Sequence, residues 1–526
     1  MYKPTQNLLE GIKNCFEPQL MPWDEYFMRM AETDFLDGRQ NVIGAKSFFI
    51  REAPFKGSYT LLGGVTEMLR TVSELRFDRE DFQEYLRDMD YDINFINFLK
   101  AKRMLNLDIW SGLEGTPFFP KEPIISARGD LISLRLWEGI VTEAVNFASL
   151  SLTKWHRLVR TVRPGQVMEF SRRRSQNHKK STLYGMLAGC SSTSNSEMRR
   201  FFNFKIGATF GHEFVQSYGD VKTAFEHWLN KQPRRPIGLI DTLDTMRVDF
   251  PAWLEAVYKH REQIKNADPI IWGWRNDSGD LATLPIDQYN GFMKHKLAQD
   301  NWFRDQMRIV LTNDLDEYSA QSIIAQIRTQ AGAAGFNSED ILRRIIWAAG
   351  TKPGTCDGQP SLGGVAKLVE IDGYDCIKLA FDRDGQPGIK TSIPGLNFSS
   401  IIRDKDNEVR FLLVHHEPAL LDTEIIGVFP ENPQRQIKVQ RGYSSRRRQA
   451  LIWDSRVPYH EGANIFSSNT TISDIQKSIM SWVDFLPWEM TRLDMPEPMK
   501  VCLTPELQKL RSQMIKQGVL RSDFLK

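Results

Sequence analysis

The sequence predicts an α/β protein in which an irregular β/α barrel follows an N-terminal α/β domain that C-terminal strands rejoin, with segments 1–130, 131–400 and 401–526. Two features carry this. Between residues 163 and 400 a short apolar run passes into glycine or polar residues and then into a helix, seven times over. That is the alternation of a parallel sheet with crossover helices. Beyond 400, VRFLLVHHEPALL and IKVQRGY read as strands with no helical crossover, which suits a return to the N-terminal domain. Periodicity alone fits an open doubly wound sheet as well as a barrel; the barrel is the expectation taken forward.

In chain order, residues 1–31 are expected to be helical, AKSFFIREAPF (45–55) a strand and turn, and SYTLLGGVTEMLRTV (58–72) an amphipathic helix. Asp78–Leu99 reads as helical, with short β segments between Leu107 and Phe119. Leu131–Val162 reads as a long amphipathic helix bridging into the barrel. The seven barrel runs are Gln166–Phe170, Tyr184–Ala188, Lys205–Phe210, Ile237–Ile240, Pro269–Trp274, Arg308–Leu311 and Ile345–Ala349. Gly442–Asn464, containing SSRRRQ, reads as a basic surface loop, and Thr471–Phe485 and Thr504–Gly518 as amphipathic helices.

Composition narrows the class. The chain is long enough for two or three domains. Lys plus Arg (68) nearly equals Asp plus Glu (66), so charge gives no reason to expect a nucleic-acid or membrane-surface protein. The five cysteines are scattered without metal spacing and read as reduced thiols of a cytosolic chain. No apolar stretch approaches the ~18 residues of a membrane span. The start lacks a signal-peptide core. A cytoplasmic enzyme fits.

The chemistry concentrates at strand ends. PIIWGWRNDSGDL (269–281) ends an apolar run in Arg275, Asn276, Asp277, Ser278, Gly279 and Asp280. One guanidinium, two carboxylates and a hydroxyl suit a phosphate, a ribose hydroxyl and a magnesium ion. The plainer reading is a capped turn, with Asp277 or Ser278 as N-cap. EFSRRRSQ (169–176) places three arginines past a strand end, where a pair can grip a carboxylate and a phosphate and Phe170 can face a flat ring. A basic surface turn is the alternative. His212 follows glycine in GHEFVQ, with Gln216 where a zinc-protease helix needs its second histidine; a lone histidine is more often structural. Asn313-Asp314, Gly350-Thr351 and Gly363-Gly364 offer loop backbone to a phosphate. Gathered on one face, Arg173, Arg174, Thr193, Ser194, His212, Asp241, Asp277 and Gly350 would line a cleft for an anionic phosphorylated sugar and a small aromatic acid.

DEYFMRMA, APFKGSYTLLGGV, EFSRRRSQ, STSN, GHEFVQ, RNDSGDL, AGT, PSLGGVAKLVE and MPEPMKVCLTPELQKLRSQMI, in that order, resemble the nicotinate phosphoribosyltransferase family across nearly the whole chain. The resemblance implies a type II phosphoribosyltransferase-like barrel and transfer of phosphoribose from phosphoribosyl pyrophosphate to nicotinate. It also implies a homodimer that shares its active sites, Mg2+, and ATP as co-substrate. By match, Phe170 and the partner's Tyr26 would sandwich the pyridine ring, and Arg173 would hold phosphates or the ring substituent. Arg275 would meet the pyrophosphate, Asp277 the ribose, and Asn313-Asp314 with Gly350-Thr351 the 5′-phosphate. Thr193, Asp241, Ser278 and Gly279 complete the expected binding set, and His212 would be the phosphorylated histidine. Nicotinamide-using relatives typically carry glycine and aspartate where this chain has Arg174 and Ser194, which favours a carboxylate substrate. Three alternatives remain: a nicotinamide phosphoribosyltransferase, a non-catalytic nucleotide-sensing barrel, and a carbohydrate-cleaving barrel using Asp241 and Asp277.

Overall fold

The computed structural model describes residues 4–17, 19–404, 406–416, 424–440, 445–453 and 470–525. It divides into two units: Met1–Thr153 with Gly358–Lys526, and Lys154–Asp357. Residues 131–153 and 358–400, expected within the barrel segment, thus group with the first unit.

The first unit holds two six-stranded sheets, besides the short pair Thr60–Leu61 with Pro117–Phe118. One runs in the order Tyr374–Asp375, Val365–Ile371, Ile43–Phe49, Ile125–Asp130, Leu107–Ser111, Ala450–Trp453. Chain from beyond the second unit therefore does rejoin the N-terminal strands, but as 365–371 and 450–453. The strands expected to return, now Val409–His415 and Asn432–Gln440, build a second sheet with Glu424–Phe429, Val501–Leu503, Phe398–Arg403 and Ser445–Arg447. Most of the predicted basic loop lies outside the described residues. Its described part is not a solvated loop. Arg448 is buried against Glu122, Nε to Oε1 at 3.0 Å, and the Gln449 amide donates to Pro123 O at 2.6 Å.

Helix Leu131–Thr161 follows directly on strand Ile125–Asp130. The Asp130 carboxylate accepts from the Ser133 N–H and hydroxyl, both at 2.9 Å, and so caps the turn where strand becomes helix. Gly63 and Gly64 lie against this helix. A Cβ on Gly64, at φ +88°, would stand 2.2 Å from Ala144 O. The buried Glu114 carboxylate accepts from Gly64 N at 2.6 Å and Thr66 N at 3.0 Å, capping helix Val65–Glu74. Burial outweighs these bonds and pushes Glu114 from 4.5 up to about 7. A carboxyl raised in the folded state holds its proton there more tightly than in the unfolded chain, so its stabilisation fades as pH rises between those values. Glu114→Gln is expected to flatten the fall of Tm between pH 5 and 7, read by thermal melts; an unchanged slope refutes the assignment.

The second unit is a parallel sheet of six strands: β1 (Gln166–Glu169), β2 (Ser192–Thr193), β3 (Ile237–Leu239), β4 (Trp272–Asn276), β5 (Met307–Leu311) and β6 (Ile345–Ala349). The order is β2-β1-β6-β5-β4-β3. Among the described residues β2 and β3 do not pair, so the sheet is a half-barrel rather than a closed ring. Five of the seven expected runs are strands. Tyr184–Ala188 instead ends helix His178–Leu187, which Asn177 caps; eight consecutive buried residues, Lys180–Leu187, erase the periodicity that separates helix from strand. Lys205–Phe210 contributes a single bridge, Ile206 to Thr193.

Alternation along the strands sorts the two faces. One face carries Trp272, Trp274 and Asn276. Trp272 donates to Phe303 O at 2.6 Å, while Trp274 and Asn276 share the Gln288 amide. The other, concave face packs Met168, Val310, Ile346 and Ala348 with Phe170 and Ile237. No described helix is long and apolar enough to cross a membrane.

Candidate functional site

On the concave face Val310 pairs with Arg275, and Leu239 lies beside it. Continuing that alternation past the strand ends brings Phe170, Asp241, Asp277, Thr312 and Gly350 to the C-terminal edge, where parallel sheets hold their ligands. Asp241 and Asp277 follow the adjacent strands β3 and β4, so the two carboxylates are neighbours and do not face each other across a cleft as a glycosidase pair would.

Asp241 is the hub. Its side chain is 1% exposed. Oδ2 accepts from the Asp277 N–H at 2.8 Å and the Ser278 hydroxyl at 2.7 Å. Oδ1 is buried without a hydrogen-bond donor. The Asp277 carboxylate accepts from the Thr312 hydroxyl. His212 Nε2 stands 3.8 Å from Asp241 Oδ1 and 3.9 Å from Asp277 Oδ2, within ion-pair reach of both but too long for a hydrogen bond. Its Nδ1 is 3.1 Å from the Thr242 hydroxyl. Behind them the Asp249 carboxylate takes the Thr242 and Leu243 N–H groups at 2.6 and 2.9 Å. Burial raises its pKa.

Arg275 Nη2 donates to Phe210 O at 3.3 Å, and its Nε is buried without an acceptor. Burial lowers its pKa, Asp277 and Asp241 pull it up, and nearby Arg173 lowers it further. A guanidinium so held is short of acceptors and suited to an incoming anion. The capped turn also exists, but Asp280 makes it, accepting from Ala282 N and Thr283 N at 2.9 and 3.2 Å. Gly279 turns the chain between them at φ +81°.

The arginine loop is seated from below. Glu169 is wholly buried. Its carboxylate accepts from the Ser171 N–H at 2.6 Å, the Thr182 hydroxyl at 3.0 Å, and the hydroxyls of Ser171 and Thr193. The Ser194 N–H donates to Glu169 O at 2.9 Å. Arg172 turns away to Asn195 Oδ1 at 2.6 Å and Glu197 at 2.9 Å. With His178 and Lys179 beside it, that contact pulls Glu197 down to about 2. Arg173 and Arg174 are exposed. Gly350 lies under Phe170, where a Cβ would stand 2.7 Å from Phe170 O, and Thr351 opens the turn Thr351–Gly354. Asn313 and Asp314 follow β5 at φ +101° and +44°. The Gly363-Gly364 nest is not free: the two N–H groups donate to Ser361 Oγ and Asn146 Oδ1 at 3.2 and 2.8 Å.

Tyr26 belongs to the first unit, 53% exposed with its ring 4.0 Å from that of Phe27. Sequence reasoning missed Glu169 and Thr312, whose roles rest on partners brought in by the fold, Thr182 and Thr193 for Glu169 and Asp277 for Thr312.

Among the described residues no set of three or more His, Cys, Asp or Glu forms a ready metal cluster. The buried, unpartnered Asp241 Oδ1 beside Asp277 nevertheless fits a hard divalent cation that takes its other ligands from phosphate and water.

Residues 21–146 match the family model described as the nicotinate phosphoribosyltransferase N-terminal domain. A nicotinate phosphoribosyltransferase of Bacillus subtilis is 26% identical over 513 residues, covering 94% of each chain. The crystal structure of human nicotinic acid phosphoribosyltransferase superposes with a TM-score of 0.72 at 21% identity, over 93% of this chain and 99% of that one. A nicotinate-nucleotide pyrophosphorylase of Pyrococcus furiosus shares the fold at a TM-score of 0.57 and 14% identity, over 88% and 94%.

Proposed function

We propose, from the premise that the chain belongs to the nicotinate phosphoribosyltransferase family and is an enzyme, that it makes nicotinate mononucleotide and pyrophosphate from nicotinate and phosphoribosyl pyrophosphate in NAD salvage. The observation that carries this is the Arg275–Asp277–Asp241 constellation at one end of the parallel sheet, with the arginine loop on the same edge. The half-barrel is read as the core of a type II phosphoribosyltransferase barrel.

In the reaction the bond from ribose C1 to the pyrophosphate oxygen breaks, positive charge grows on the ring, and the pyridine nitrogen bonds to C1. Arg275 and Arg173 meet the departing pyrophosphate. Asp277, held by Thr312, faces the growing charge on the ribose and orients its hydroxyls. Asp241 and Asp277 would hold Mg2+, whose charge offsets that of the pyrophosphate. Phe170 supplies one face of the ring sandwich and the partner's Tyr26 the other, which makes the homodimer the working unit. Gly350-Thr351 and Asn313-Asp314 take the 5′-phosphate through backbone N–H groups. His212, between two carboxylates and steadied by Thr242, is the group that ATP would phosphorylate. The five free, buried cysteines support a cytoplasmic setting.

The test is product formation with phosphoribosyl pyrophosphate and magnesium, comparing nicotinate and nicotinamide, each with and without ATP. Nicotinate mononucleotide, formed faster with ATP, is expected; no product from either base removes the reading. Arg174 and Ser194 set the choice of base in this account. Ser194→Asp combined with Arg174→Gly is expected to lower kcat/KM for nicotinate about a hundredfold, the scale of ~3 kcal/mol. An unchanged nicotinate-to-nicotinamide ratio assigns the choice elsewhere.

A further inference from the structure

The two loops that would receive the 5′-phosphate in the proposed reaction are tied together by an ion pair. β5 and β6 are paired as far as Leu311 and Trp347. Past that point the ladder stops: Asn313 and Asp314 take left-handed conformations, and Gly350 leads into the turn Thr351–Gly354. The turn is secured on the side of β1. The Phe170 N–H donates to Ala349 O at 2.7 Å, and a Cβ on Gly354 would stand 2.4 Å from Ser171 Cβ. On the side of β5, a single polar contact among the described residues crosses from residues 350–357 to residues 312–316: Lys352 Nζ donates to Asp316 Oδ2 at 3.4 Å.

Asp316 is a stiff anchor. It is buried and is the N-cap of helix Glu317–Ala333. Its Oδ1 accepts from the Ser319 N–H at 2.8 Å, and the Ser319 hydroxyl accepts in return from the Asp316 N–H at 2.9 Å. Oδ2 is left for Lys352. The next residue, Glu317, is wholly buried and ion-paired with Lys154 at 3.0 Å and Arg157 at 2.9 Å. Burial pushes the Asp316 carboxyl up, but the Ser319 bonds and the charges of Lys352 and Lys154 outweigh it and hold its pKa low. The partner that Lys352 reaches is therefore a fixed, charged one.

A phosphate monoester held by N–H groups of two loops needs both loops at one spacing, and an error of about 1 Å in such a site costs up to about a hundredfold. An ion pair this long and partly open to water adds little to folding. What it does fix is the distance between a turn that is otherwise held only toward β1 and a loop that is anchored beside β5. Given the reading of these two loops as the 5′-phosphate site, we propose that Lys352 is a positioning residue for phosphoribosyl pyrophosphate. It draws the 350–354 turn onto Asp316 and so sets the spacing at which the two loops receive the phosphate.

The test is binding to the full-length protein, read by calorimetry without nicotinate, so that no turnover is needed. The probes are phosphoribosyl pyrophosphate with magnesium, and inorganic pyrophosphate with magnesium, which lacks the 5′-phosphate. Lys352→Met is expected to weaken phosphoribosyl pyrophosphate about tenfold and pyrophosphate by less than about twofold, with Tm within about 2 °C of the parent. Asp316→Asn keeps an N-cap acceptor for Ser319 and should give the same tenfold loss. The double variant should bind no more weakly than either single one, because each removes the same pair. Lys352→Arg, which restores a cation of similar reach, should bind within about threefold of the parent. A loss in Lys352→Met that Asp316→Asn does not share assigns the lysine to direct contact with phosphate and overturns the positioning role. Additive losses, or equal weakening of pyrophosphate, overturn it too. A parent that binds phosphoribosyl pyrophosphate while every variant binds it as tightly overturns the role of Lys352 and spares the proposed reaction; a parent that does not bind it removes both.

Discussion

Asp277→Asn is expected to lower kcat for nicotinate mononucleotide formation by about a hundred- to a thousandfold, or ~3–4 kcal/mol of transition-state stabilisation. The substitution keeps the shape of the side chain. Asparagine Oδ1 can still accept from Thr312, and the backbone N–H bond to Asp241 Oδ2 is untouched. What is lost is the negative charge facing the ribose as C1 becomes electron-poor, together with one of the two carboxylates around His212. Folding should not suffer, because the change also removes like-charge crowding with Asp241. A retained Tm with kcat/KM and kcat falling together is the signature of a group that acts in the transition state. Activity within about tenfold of the parent would move the electrostatic burden to another residue. Thr312→Val offers a milder companion, since it leaves the charge and removes only the hydroxyl that aims it.

How much of this was legible in the sequence depends on how local each feature is. RNDSGDL was legible because Arg275, Asp277 and Ser278 sit on one strand end, and an abrupt switch from apolar to charged residues marks that place. The bond from Asp277 to Asp241 was not, because it needs β3 and β4 to be neighbours, and a strand order is not written in either strand. The same holds for Glu169, which reads as one more polar residue after an apolar run until Thr182 and Thr193 are brought to it. Tyr184–Ala188, which ends helix His178–Leu187, was misread as a strand because Lys180–Leu187 are all buried and burial there carries no period. Strand Ser192–Thr193 is too short to show any period. In the first unit, residues 450–453 pair with 109–111, a sequence separation at which only the folded chain reveals the partner. The nest expected at Gly363-Gly364 failed for a related reason: its donors are taken by Ser361 and, from far along the chain, Asn146.

Glu169 carries the second large effect, on stability as well as activity. Glu169→Ala would leave the Ser171 N–H and three hydroxyls facing a cavity at the base of the arginine loop. Hydroxyls can rotate toward one another; the backbone N–H cannot. Each buried donor left without an acceptor costs about 1–3 kcal/mol, so a loss of ~3–5 kcal/mol is expected, with Tm falling by roughly 10 °C. Glu169→Gln separates position from charge. Its Oε1 can keep the Ser171 N–H, and the threonine hydroxyls can turn to accept from the new amide, so stability should drop by only about 1 kcal/mol. The loop would still be held less firmly against Ser194, whose N–H rests on the Glu169 carbonyl. KM for nicotinate is therefore expected to rise about tenfold in Glu169→Gln while KM for phosphoribosyl pyrophosphate and kcat stay within about threefold. A merely structural residue would move all three together in proportion to lost stability. If the glutamine variant behaves so, or if its nicotinate KM matches the parent's, Glu169 supports the fold without positioning the arginines, and the choice of substrate rests on Arg174 and Ser194 alone.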